Sequence, residues 1–99
     1  MTREKLVRDK IPELIRQNGQ KPRIRIATNK EMDHLLRAKI VEEAQELLES
    51  GKLEEVADIC EAIDAFLKHR NIPTTTIDNL RKEKNKERGA FTEGYVLIT

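Results

Sequence analysis

The stretch Glu42-Glu43-Ala44-Gln45-Glu46-Leu47-Leu48-Glu49-Ser50-Gly51-Lys52-Leu53-Glu54-Glu55-Val56-Ala57-Asp58 decides how this chain folds. It holds two pairs of acids, Glu43 with Glu46 and Glu55 with Asp58, each pair three residues apart. That spacing puts both carboxylates of a pair on one face of a helix. Ser50-Gly51 between them is a turn signal. In an antiparallel hairpin folded about Gly51, residues whose numbers sum to about 101 lie level, so Glu46 faces Glu55 and Glu43 faces Asp58. Four carboxylates then converge. Like charges that close repel strongly unless some are protonated or a cation sits among them. An all-oxygen set of this kind suits a hard divalent ion, Mg²⁺ first and Mn²⁺ as the alternative.

Helical periodicity sharpens the pattern. Met32, Leu35, Leu36, Ile40 and Leu47 make one apolar stripe on the first helix, and Glu43 and Glu46 fall inside it. On the second helix Glu54, Glu61, Asp64 and Lys68 form the solvated arc. Glu55 and Asp58 lie off that arc, beside Ala62 and Ala65, where small side chains let another helix approach. Four acids turned inward are costly unless paired or metal-bound. The plainer alternative is a solvated helix pair, which a chain with 37% charged residues reaches easily by chance. A single acid pair at this spacing is common on exposed helices. The doubled, level, core-facing arrangement is what favours a metal site.

Working outward, Lys5 to Val7 reads as a short extended lead-in. Asp9 is positioned to cap a helix from about Lys10 to Asn18, with Pro12 in its first turn and Gly19 closing it. Arg23-Ile24-Arg25-Ile26-Ala27-Thr28 alternates and predicts a strand. Thr28 or Asn29 caps the first acidic helix, about 30 to 50, and the second runs from about 52 to Arg70 with Asn71 at its end. Pro73 opens a helix over about 74 to 88, next to threonines that offer capping hydroxyls, and Gly89 ends it. Tyr95-Val96-Leu97-Ile98 predicts a second β run over about 94–98, paired with 23–28 within the chain or across a dimer. The fold class expected is all-α, a four-helix-type bundle with a minor β element near the termini.

Residues 1–99 make one domain with a modest core of Leu, Ile, Val and Ala. A bundle this small often covers its apolar faces with a partner, so a homodimer or tetramer is expected. Net charge is near zero but unevenly placed. Glu42 to Asp64 holds nine acids and one base, whereas the first 25 residues hold eight bases and three acids. An acidic centre between basic ends fits a metal–polyphosphate site. A nucleic-acid binder more often shows one continuous basic face. Cys60, the only cysteine, excludes an intrachain disulfide and reads as a small core residue near Val56 and Ile63. No apolar run approaches membrane-spanning length and no secretory signal appears, so a soluble cytoplasmic protein is expected. His34 and His69 have no partner at metal-ligand spacing.

The pattern Lys39-x-x-Glu42-Glu43-x-x-Glu46, then Glu55-x-x-Asp58, resembles the MazG-like branch of the all-α nucleoside triphosphate pyrophosphohydrolases. The opening Lys5-Leu6-Val7-Arg8-Asp9-Lys10-Ile11-Pro12-Glu13 and the closing Arg88-Gly89-Ala90-Phe91 resemble a small, single-domain group of house-cleaning enzymes in that superfamily. The resemblance implies Mg²⁺-dependent hydrolysis of the α–β phosphoanhydride of a nucleotide, giving a monophosphate and pyrophosphate. It implies Glu43, Glu46, Glu55 and Asp58 as metal ligands. Glu42, or one of the ligands such as Glu43, would activate water. Because an acidic metal site that takes a polyanion needs compensating donors, Lys84, Arg88, Arg8 and Lys39 are the phosphate-binding candidates. Within the same class, a phosphoribosyl-ATP pyrophosphohydrolase is an alternative. Outside it, a non-catalytic dimeric helical interaction module would use the same acids as ion-pair partners.

Overall fold

A computed structural model describes residues 4–98. Four helices follow one another: α1 (Ile11–Gln17), α2 (Asn29–Ser50), α3 (Leu53–His69) and α4 (Thr74–Arg88). The expected all-α architecture is observed.

Local chemistry sets the boundaries. Thr28 caps α2 in a capping box: its hydroxyl accepts from the Glu31 N–H, and the Glu31 carboxylate accepts from the Thr28 N–H at 2.8 Å. Gly51 ends α2 at φ +65°, a left-handed conformation that any side chain would strain. Its N–H donates to the Leu47 carbonyl at 2.8 Å. α3 closes on Asn71, whose φ of 56° lets the Ile72 N–H reach the Leu67 carbonyl at 2.9 Å. Two capping expectations are corrected. α1 starts after Lys10 with no side-chain cap, so Asp9 does not have that role. α4 starts after Pro73, also without a side-chain cap, so the threonine hydroxyls are not used that way.

α2 against α3 is the one substantial helix–helix contact among the described residues. Leu36 on α2 and Ala62 and Leu67 on α3 are the buried apolar residues, and Glu43 is buried with them. The open end of the hairpin is fastened by Arg70, which grips Asp33 through two nitrogens at 2.6 and 3.1 Å and lies over the Phe66 ring. α4 is exposed along its length apart from half-buried Ile77. The result is an elongated molecule of 51 × 31 × 25 Å with a radius of gyration of 17.3 Å. A compact domain of this length would have about 13 Å.

The β element is not seen. Residues 23–28 and 94–98 form no strand, and Ile26, Tyr95, Val96, Leu97 and Ile98 are exposed. An extended segment becomes a strand only when a neighbour takes its N–H and C=O groups, and alternation alone supplies no neighbour. Cys60 is also corrected, from core to exposed. It lies on the α3 face bearing Val56 and Ile63, which α2 leaves uncovered.

Candidate metal centre

The carboxylates meet in the middle of the α2/α3 seam. Glu43, Glu55 and Asp58 each bring one oxygen within 4.8 Å of the others. Glu43 belongs to the same helical row as Leu36 and Lys39, which is why it points at α3. Glu55 and Asp58, one turn apart on α3, meet it there. Glu46 is not in this group. It is turned about 60° around α2 from Glu43 and is exposed. It lines an adjoining cleft with Lys5, Glu42, Gln45 and Glu49. The level rule therefore holds for Glu43 with Asp58, and Glu55 closes on Glu43 as well.

Glu43 has unequal surroundings on its two oxygens. Oε1 lies 3.2 Å from Lys39 Nζ, and Oε2 is buried with no hydrogen-bond partner among the described residues. Burial pushes this carboxyl above its usual range, and the nearby Glu46 charge adds to that, against the pull of Lys39. Partial burial lowers the Lys39 ammonium, but Glu43 and Glu42 outweigh it and hold it above its ordinary value. Burial also raises Glu42, yet hydrogen bonds from Lys5 at 3.1 Å and Lys39 at 3.3 Å outweigh it and hold Glu42 below the usual carboxylate range.

Cations come from the segment before α1. Arg8 donates to Asp58 Oδ1 at 2.7 Å across 50 residues of chain. Half-buried Leu6 and Val7 help to line a cleft of about 440 Å³ together with Met32, Leu36, Glu43 and Asp58. Of the predicted phosphate-binding residues, Arg8 and Lys39 stand at the cluster. Lys84 and Arg88 are exposed on α4 and line neither cleft. The clamp of Lys5 on Glu42 was not anticipated. The basic start of the chain was its only signal.

An oxygen-only set with one buried, partnerless carboxylate oxygen fits a hard divalent cation. Comparison with family models, with curated proteins and with solved structures finds no match.

Proposed function

We propose that this chain is a Mg²⁺-dependent nucleoside triphosphate pyrophosphohydrolase of MazG-like type, cleaving the α–β phosphoanhydride to a monophosphate and pyrophosphate. The observation that carries this reading is Glu43, which brings a carboxylate oxygen close to Glu55 and Asp58 and whose Oε2 is buried without a hydrogen-bond partner among the described residues. Leaving a carboxylate oxygen so placed is expensive, and a cation is the simplest partner. Glu43, Glu55 and Asp58 would hold the ion, with Glu46 as an outer member of the set. Bound Mg²⁺ or Mn²⁺ would supply charge neutralisation on the phosphoryl oxygens. Lys39 keeps Glu43 oriented from one helical turn away. Glu42 is engaged by Lys5 and Lys39, and a carboxylate held below its usual range is a weak base. Glu43 is thus the better candidate for orienting the attacking water. Arg8 serves the phosphates from the same chain. Lys84 and Arg88 would serve those of a neighbouring copy in a homodimer or larger assembly.

The test is a panel of ordinary, deoxy and damaged nucleoside triphosphates, with phosphoribosyl-ATP included, assayed for pyrophosphate with Mg²⁺ and with Mn²⁺. Pyrophosphate release by at least one of them is expected. Orthophosphate alone would mean that a different bond is cut. The Arg8–Asp58 pair favours a second reading, an ion-paired helical interaction module. Silence across the panel, with no stabilisation by millimolar Mg²⁺, would select that reading.

A further inference from the structure

The three clustered carboxylates are served by unlike cations. Lys39 reaches Glu43 from the same helix and is itself only 18% exposed. Its position is fixed by α2. Arg8 reaches Asp58 from outside the hairpin, and its side chain is 54% exposed. Among the described residues, Glu55 has only the Ser50 hydroxyl, at 3.4 Å. One positive charge is therefore built into the seam, and one is laid over it from solvent.

The main chain at Arg8 does not need to move for that charge to leave. The Arg8 carbonyl accepts from the Ile11 N–H at 3.0 Å, which ties it to the start of α1. Rotation of an exposed side chain is enough. An exposed ion pair holds its partners by about fivefold at most. A divalent ion among three carboxylates interacts with all of them at once and would win Asp58 from a single guanidinium.

We propose that Arg8 is the exchangeable counter-ion of the cluster. Its guanidinium occupies Asp58 until a divalent cation takes that carboxylate, and the freed guanidinium then binds the phosphate chain of the ligand. This rests on the metal reading given above and adds an order of events to it. A planar, multi-donor guanidinium suits both partners, carboxylate first and phosphate second. The same residue thus competes with the metal for Asp58 and supports the polyanion once the metal is bound.

Those opposite signs make the test. Mn²⁺ binding to the full chain is measured by the loss of the free-ion magnetic resonance signal, and inorganic pyrophosphate is then titrated into the Mn²⁺-loaded protein. Arg8→Ala is expected to bind Mn²⁺ roughly two- to fivefold tighter than the unchanged chain, and to bind pyrophosphate more weakly. Arg8→Lys should fall between the two on both measurements. Lys10→Ala removes the same charge nearby, from a residue with no ion pair to the clustered acids, and sets the size of a general field effect. Mn²⁺ affinity in Arg8→Ala that is unchanged, lower, or raised no more than in Lys10→Ala would overturn the exchange. Tighter Mn²⁺ with unaltered pyrophosphate binding would overturn the role toward phosphate. Failure of the metal reading is separate: the unchanged chain would then bind no more Mn²⁺ than Glu43→Gln does.

Discussion

Lys39 Nζ sits 3.2 Å from Glu43 Oε1, one helical turn away on α2, and leaves Oε2 of the same carboxylate buried and bare. Among the described residues Glu43 is the one buried charged group. It lines one cleft with Leu36 and Ala62, where an apolar side chain would pack without penalty. Replacing a buried charge by an apolar residue of similar volume is often neutral or stabilising. Lys39 would keep Glu42 as a partner at 3.3 Å. Glu43→Leu is therefore expected to raise metal-free stability by about 1 kcal/mol, read as an increase in Tm of roughly 4–8 °C. It should also abolish the response to Mg²⁺. A lower Tm in the metal-free variant would show that Lys39 already satisfies Glu43.

The positions of the four acids rank their effects on metal binding. Glu43, Glu55 and Asp58 share one small volume, and Glu46 faces the adjoining cleft. Affinity for a hard cation follows the number of charged oxygens that reach it. Glu43→Gln and Glu55→Gln should weaken Mg²⁺ binding by roughly tenfold or more, and Glu46→Gln by clearly less. Thermal shift against Mg²⁺ concentration gives the order. A Glu46 variant as damaged as the Glu43 variant would mean that Glu46 swings inward when metal binds.

The difference between Glu43 and Glu46 marks where the sequence stopped being legible. Gly51 announced the turn, Thr28 the cap of α2, and Asn71 the end of α3, because each acts through its own backbone or the next turn. Glu43 against Asp58 followed from the length of the turn. Whether Glu46 also points at α3 depends on the rotation of α2 about its own axis, which apolar packing decides, and of the large apolar residues of α2 only Leu36 is buried. The β segments failed for a related reason. Alternation in Arg23-Ile24-Arg25-Ile26 describes a side-chain pattern, but the neighbour that would make it a strand lies elsewhere in space.

The start of α2 should be sensitive to acid. The Arg25 guanidinium bonds both oxygens of Glu31, at 2.7 and 2.9 Å, and with the capping hydrogen bond from Thr28 holds that carboxyl down from 4.5 to about 2. Arg70 likewise holds Asp33 below its usual value. Both groups are more acidic folded than unfolded. Their contribution is thus fully present above the unfolded pKa and is lost as pH falls through the folded one. For Glu31 that window runs from about 4.5 down to about 2. A side-chain carboxyl titration by NMR should place the Glu31 midpoint near the lower value, and Arg25→Ala should move it back toward the upper one. A midpoint that ignores Arg25 would assign the shift to the cap alone.

Assembly follows from what α2 leaves uncovered. α3 presents Val56, Cys60 and Ile63 at helical spacing, and all three are exposed in the single chain. Only three apolar residues are buried among the described residues, too small a core for a chain of 99 residues. A second copy packing this face would turn two hairpins into a four-helix core with the acidic seams intact. Light scattering at micromolar concentration is expected to give a dimer or larger. Ile63→Lys puts a charge in the middle of the face and should yield a monomer of lower Tm. Cys60 reports the same event chemically. Its thiol should react slowly with a disulfide reagent in the unchanged protein and at least roughly tenfold faster in Ile63→Lys, since reactivity follows access to the thiolate. A fast-reacting thiol and a monomeric mass in the unchanged protein would together show that this face stays open to water.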